Sequence, residues 1–463
     1  MGRLQQILRD GDWLTRERMR LVAFALLAAS AAGFLYLVVT AKNGVDLQGR
    51  PVGTDFSNVY AAGTYVNEGD AGAPFDPVRQ FARERAIFGD GTQFYGWHYP
   101  PYFLFVAGAL ARMPYGVALA VWQAVTLGLY LLAIRAIVLS FRGPRSGSPE
   151  SIAPGEEGQA PHHGSRKSWL WIPDSRSAAS GMTGDWLLLA LAFPAVLVNI
   201  GHGQNGFLTA ALLGGTLVLL DRRPLVAGLL LGLLVYKPQY GLMIPIALAA
   251  GNRWRCFCSA AATVAVLTVV TTAAFGPAIW HAFAASTEFT RTVVLEQGGA
   301  GWYKIQSVFS WARMWGAPVP LAYALQGVVT VAVAAALVSL WRGAGPYVFK
   351  AAALCLAAFL ATPYSFDYDM MVLASAIAFL GAAGFASGFG PWQKTVPAAL
   401  WLVPLLARSV AEATLIPLGV SAVLGAFIYV YRYGRIPQLP PVISHDLTVF
   451  SAAETKVAAG ATR

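Results

Sequence analysis

Only 12% of this chain is charged, so the side chains that can do chemistry are few, and they fall in clusters. Asp46 and Asp55 lie in a stretch rich in Gly and Asp, followed by Tyr60, Asp76 and the run FYGWHYPPY at 94–102, which contains His98 and Tyr99. Further on come His202, Gln204 and Asn205 in GHGQN, Lys237 and Gln239 in VYKPQ, Arg291 and Lys304 beside Glu288, Glu296 and Tyr303, and Asp367, Tyr368 and Asp369 in SFDYD. Carboxylates and imidazoles can move a proton, and Lys or Arg can meet a developing anion. Lys237 stands out because it sits beside Pro238 in the middle of an apolar stretch of about 27 residues. An ionisable group at that depth is expensive and is by default a functional-site candidate.

The elements that position these residues must be membrane helices. The chain has 463 residues, 56% of them hydrophobic, and a mean hydropathy of +0.54, whereas soluble domains carry about 25% charged residues. The runs 21–40 and 117–140 reach the ~20 residues that cross a hydrocarbon core. The net charge of +10 fits basic inner loops and anionic headgroups rather than nucleic acid. Cys256, Cys258 and Cys355 lie in or beside apolar segments and offer neither a disulfide framework nor a zinc site. The reading is an all-α polytopic membrane protein, one body over 1–441 with a disordered cytoplasmic tail at 442–463.

Arg3, Arg9, Arg16, Arg18 and Arg20 precede the first segment, so the positive-inside rule places the N-terminus in the cytoplasm. The segment is read as a retained helix, because its apolar run is long for a signal peptide and no clean cleavage site follows. Residues 42–113 then form a long first outer loop, with 101–111 too short to span and read as an interfacial or re-entrant helix. Span 117–140 returns to a Ser-, Gly- and Pro-rich cytoplasmic insert at 142–184, whose His162 and His163 lack partners at metal spacing. Spans follow at 186–200 and 207–220, and the stretch between Arg223 and Arg253 divides into two short helices meeting at Lys237 and Pro238. After 258–275 comes a second outer loop at 276–318, then 319–340, 348–361, 370–380, 396–407 and 415–431. About twelve segments result, with both termini inside and every candidate cluster outside.

The sequences DFSNVYAAG, YPPYFLF, GQNG, GLLLGLLVYKPQ and SFDYD, in that order, resemble the membrane glycosyltransferases of family 87, which have the C-type glycosyltransferase fold. The resemblance implies an inverting enzyme that moves a sugar, mannose above all, from a polyprenyl-phosphate donor to an acceptor hydroxyl at the outer face of the cytoplasmic membrane. The acceptor would be a glycolipid or a glycan. The resemblance puts the catalytic base on Asp55. A sugar hydroxyl is a poor nucleophile, so a carboxylate must take its proton opposite the leaving group, and the leaving lipid phosphate needs a cation. Lys237, Arg291 and Lys304 are the candidates for the phosphate. Asp46, Tyr60, His98, Tyr99, His202, Gln204, Asn205, Gln239, Asp367, Tyr368 and Asp369 are candidates for substrate binding. Family members often carry a histidine in the last outer turn. This chain has none in SFDYD, which leaves the acceptor open.

Each assignment has a plainer alternative. Asp55 is equally placed to cap a helix, Asp46 to close a turn, Lys237 to snorkel from a helix end, His98 to sit in an aromatic interface belt and GHGQN to be a capped hairpin. No cofactor and no obligatory metal are expected, because a monophosphate donor can be met by Lys and Arg alone. A flippase for lipid-linked sugars, or a non-catalytic scaffold, are the rival functions. A transporter would show an internal repeat and binding groups near the midplane, whereas this sequence shows no convincing repeat and gathers its polar groups in outer loops rather than at two matched positions.

Overall fold

The computed structural model describes residues 2–140 and 185–436. The expected insert at 142–184 and tail at 442–463 lie outside them. All regular structure among the described residues is helical, apart from isolated backbone bridges. In chain order the helices are α1 (Arg3–Asp10), α2 (Arg16–Thr40), α3 (Phe56–Asn67), α4 (Pro77–Phe88), α5 (Leu104–Leu110), α6 (Tyr115–Ser140), α7 (Asp185–Leu191), α8 (Pro194–His202), α9 (Gly206–Leu219), α10 (Pro224–Leu233), α11 (Met243–Ala250), α12 (Trp254–Phe275), α13 (Ala278–Phe289), α14 (Val308–Met314), α15 (Val319–Arg342), α16 (Tyr347–Leu360), α17 (Val372–Ser387), α18 (Thr395–Thr414) and α19 (Leu418–Gly434).

Among the described residues six helical stretches are long and apolar enough to cross a membrane: α2, α6, α12, α15, Asp367–Ser387 and α18. There are seven if α7 and α8, bent by 45° ahead of Pro194, form one broken span. About twelve segments were expected from hydropathy. Helices α9, α16 and α19 and the stretch Pro224–Tyr236 occupy expected positions but fall short of the spanning length. The physical reason is visible in α16, where every residue from Ala351 to Leu360 is buried. A helix surrounded by protein is apolar for packing and need not match the bilayer. By contrast, α2 buries only Ala23 and α12 turns Val266, Val269 and Val270 outward, as lipid-facing helices do.

Close helix contacts come from small residues. Gly228 and Gly232 on α10 face α12 so tightly that a Cβ would lie 2.5 Å from the Cys256 carbonyl oxygen or 2.4 Å from the Thr263 Cβ. This is the spacing by which helix backbones approach one another. The expected break after α10 falls at Lys237, whose backbone (φ −123°, ψ 74°) separates two 3₁₀ turns, Leu234–Tyr236 and Pro238–Leu242. Pro238 has no N–H to continue the ladder.

Two long connections carry Asp46, Asp55, Tyr60, His98, Tyr99, Arg291 and Lys304, and both are built structures. In the first, α3 lies against α5 with Gly63 at the crossing, and Asn67 Nδ2 donates to the Gly108 carbonyl at 3.1 Å. Phe103 packs among Trp97, Tyr99, Trp122 and Tyr236, with ring centroids 4.8–6.1 Å apart. This aromatic hub ties the 94–103 segment to α6 and to the end of α10. In the second connection α13 passes into a π-helical turn, Thr290–Glu296. An apolar cluster of Val294, Leu295, Ile305, Phe309 and Phe366 then joins it to the SFDYD turn, where Gln306 N–H donates to Ser365 O at 2.6 Å.

Candidate active site

These connections and the GHGQN, VYKPQ and SFDYD turns enclose a cavity of about 540 Å³. Its polar lining includes Asp55, His98, Tyr99, His202, Gln204, Lys237, Gln239, Arg291, Lys304, Asp367 and Tyr368, all singled out in the sequence. It is within the size range of small-ligand pockets.

Asp55 stands at the position before α3, in helical conformation (φ −70°, ψ −20°), and its side chain makes no capping hydrogen bond. The carboxylate is turned away from the helix instead. Gln204 Nε2 donates to its Oδ2 at 2.6 Å, and His202 Nδ1 lies 3.9 Å from the same oxygen. The GHGQN turn delivers these partners because Gly203, in the left-handed region (φ 64°), ends α8 and bends the chain against α3. A Cβ on Gly203 would lie 2.5 Å from the Phe56 Cβ, so only glycine fits both the dihedral and the contact. Trp122 Nε1 donates to the Gly203 carbonyl at 3.1 Å and holds the turn from α6. Thr54 Oγ1 is 2.7 Å from His202 Nδ1.

His98 and Tyr99 form the next wall. Trp97 is buried in the aromatic hub rather than placed at a lipid interface. His98 Nδ1 lies 2.8 Å from Thr290 Oγ1, and burial pushes its imidazole down to about 4, so it is neutral at pH 7 and works as a hydrogen-bonding group, not a cation. Tyr99 OH donates to Gln204 Oε1 at 3.2 Å. Glu84 holds this wall from behind. It is fully buried and accepts backbone N–H bonds from Tyr95 (3.0 Å) and Gly96 (3.1 Å), while Gln80 Nε2 donates to it at 3.1 Å. Burial raises its carboxyl to about 7 despite these donors.

The cations divide into committed and uncommitted ones. Lys237 is buried and its ammonium is bonded to the buried Asp369 carboxylate, which also accepts Phe366 N–H at 3.0 Å. It therefore does not snorkel to the surface, and its charge is already balanced. Arg291 is half-exposed and pairs with Glu288 and, at 3.6 Å, with Glu296. Lys304 lines the cavity with no carboxylate at ion-pair distance among the described residues, and its ammonium is pushed below its usual range first by burial and next by the charge of Arg408. Arg408, on α18, lines the cavity too and lies 3.5 Å from Asp367.

Four candidates sit behind the lining. Asp46 closes a turn, accepting N–H bonds from Gln48 and Arg50 at 2.9 Å each and pairing with the Arg50 guanidinium. Tyr60 donates to the Met113 carbonyl at 3.0 Å and packs edge-on against Tyr115. Asn205 is buried before α9 with neither side-chain polar atom bonded among the described residues, and Asp369 is engaged by Lys237. Sequence reasoning missed Arg408, Glu84, Arg50 and Asn58. Arg408 carried a signal like that of Lys237, a charge inside an apolar helix, but shares its helix with Glu412 and lies one residue past the expected span 396–407. Among the described residues no three His, Cys, Asp or Glu side chains converge on a metal-sized site.

The described geometry is that of a pocket with an Asp55 carboxylate that caps no helix, neutral hydrogen-bonding groups, a Lys304 ammonium with no acid partner among the described residues and an Arg408 guanidinium paired with Asp367 at 3.5 Å, set in a helical membrane body. The model of glycosyltransferase family 87 matches residues 97–363, a span that contains His98, Gln204, Lys237 and Lys304 and stops short of Asp55 and Arg408. No curated protein and no solved structure matches the chain. The family match covers more than half of the sequence, and the chain belongs to glycosyltransferase family 87.

Proposed function

We propose that this glycosyltransferase transfers a hexose, mannose in the first instance, with inversion from a polyprenyl-phosphate donor to a hydroxyl of a glycolipid or glycan. In this reading Asp55 is the general base and Lys304 with Arg408 receives the donor phosphate. The acceptor oxygen attacks the sugar C1 as its proton passes to Asp55, the bond from C1 to the phosphate oxygen breaks, and the phosphate leaves with the electron pair. Lys304 and Arg408 stabilise that charge where water is scarce. The neutral His98, with Gln239, supplies hydrogen bonds for sugar hydroxyls, while the Tyr99 hydroxyl is engaged by Gln204. The cavity is taken to open at the outer face of the cytoplasmic membrane, with both termini inside and about twelve helical segments in the bilayer region.

The observation that carries the proposal is the meeting, in one cavity, of an Asp55 carboxylate that caps no helix and a Lys304 ammonium that pairs with no acid among the described residues. The test is direct. Detergent-purified protein is mixed with polyprenyl-phosphate mannose and a panel of acceptors, and both free polyprenyl phosphate and product are quantified. Asp55→Asn should keep donor binding and lose transfer by roughly 10²- to 10⁴-fold. Undiminished turnover in that variant would remove Asp55 from the chemistry, and absence of any sugar transfer with the wild type across donors would remove the substrate assignment.

A further inference from the structure

We propose that Gln204 is a positioning residue, which fixes one oxygen of the Asp55 carboxylate and leaves the other to take the acceptor proton. The inference rests on the reading of Asp55 as the base and adds to it how that base is aimed.

The amide of Gln204 has a defined polarity. Its Oε1 accepts from Tyr99 OH at 3.2 Å and faces the Asn205 backbone N–H at 3.4 Å, a group that can only donate. The amide oxygen must therefore lie on that side, which turns Nε2 toward Asp55 Oδ2 at 2.6 Å. The side chain is buried and its backbone is held by a bond from Gln204 N–H to Asn199 O at 3.1 Å. The left-handed Gly203 packs the turn onto the first residue of α3, next to Asp55. Oδ2 thus faces the protein, between Gln204 and His202, while Oδ1 accepts no hydrogen bond among the described residues. An N–H donor on one oxygen restrains the carboxylate's rotation without occupying the oxygen that must act. Misplacement of a reacting group by about 1 Å can cost 10²-fold in rate.

Three variants test this, each assayed for kcat, for KM of donor and acceptor, and for the pH dependence of kcat/KM. Gln204→Leu should lower kcat by roughly 10- to 100-fold with both KM values nearly unchanged. Gln204→Glu sets a second carboxylate against Asp55, so the pair must share a proton. The acidic limb of the rate profile should move up by about one pH unit or more. His98, His202, Glu84, Lys304 and Asp367 also act on Asp55, so the comparison is with the wild-type profile. Tyr99→Phe removes the hydroxyl that orients the amide and should lower kcat several-fold at constant KM. A raised KM with unchanged kcat in Gln204→Leu would overturn the proposal and make Gln204 a substrate ligand. So would an unshifted profile in Gln204→Glu, the near-isosteric variant that decides the matter where Gln204→Leu does not fold. Turnover retained by Asp55→Asn would defeat the underlying reading, whereas an inactive Asp55→Asn with an unshifted Gln204→Glu profile defeats only this inference.

Discussion

Replacing Lys237 by methionine separates a structural charge from a catalytic one. Lys237 and Asp369 are 4% and 1% exposed and bonded to each other, so the substitution strands a carboxylate whose remaining donor is the Phe366 N–H. Breaking one side of such a pair costs about 3–5 kcal/mol, whereas replacing both partners by apolar groups of similar volume is often neutral or stabilising. Net stabilities of about 5–15 kcal/mol leave little room for the single change. Lys237→Met should therefore lower the thermal midpoint in detergent sharply, Asp369→Leu should do the same, and the double variant should recover most of the loss. A ligand role makes a different forecast: loss of a charge-assisted bond to phosphate, worth about 1.5–3 kcal/mol, would appear as weakened donor use in a stable protein. The assay is a thermal-midpoint measurement on the four proteins, with donor titration on each that stays monodisperse. A stable Lys237→Met protein with impaired donor binding, and no rescue by Asp369→Leu, would refute the argument that the ion pair consumes this charge.

Arg408→Gln and Lys304→Gln should each raise donor KM by about 10-fold, the worth of one charged hydrogen bond to phosphate, and unchanged donor kinetics in both would move the phosphate elsewhere. Glu84 titrates at about 7 in the folded chain against an ordinary 4.5, so its contribution to stability is full below pH 4.5 and is lost as pH rises through 7. Glu84→Gln should flatten the dependence of thermal midpoint on pH across that window, and superimposable wild-type and variant curves would count against it. Gly63→Ala places a Cβ 2.1 Å from the Ala107 carbonyl oxygen. It should lower the thermal midpoint by forcing α3 off α5, at a cost of about 1–3 kcal/mol, and a fully stable variant would contradict the close crossing.

The helical membrane body and the break at Lys237 were legible because each leaves a local mark, an apolar run in one case and a charge beside a proline in the other. The gathering of Asp55, His202 and Gln204 was legible only as a shared set of loops. Their distances depend on the Gly203 bend against Phe56, which no local pattern encodes. The partner of Lys237 could not be read at all, since Asp369 lies 132 residues away and looks like any acidic turn residue. Glu84 was lost in the charged run RERAIF, where one carboxylate of a half-exposed helix turns inward to bind a distant backbone. The count of segments exceeded the helices of spanning length for a related reason. Hydropathy reports that a segment avoids water, and α16 avoids it by lying inside protein.

The cavity is completed by α18, and Arg408 leaves the ribosome about 350 residues after Asp55. At synthesis rates of roughly 5–20 residues per second, the first wall waits roughly 20–70 s for the last. The segment that waits is closed on itself electrostatically. Four ion pairs, Arg50 with Asp46, Arg79 with Asp70, Arg83 with Glu68 and Arg85 with Asp90, join residues within it, and the α3–α5 crossing is made by residues of the same segment. Asp55 and the Tyr99 hydroxyl are left without Gln204 during that interval, Thr54 without His202 and His98 without Thr290. The nascent chain thus carries its base unaimed until the GHGQN turn arrives, and gains its cations last.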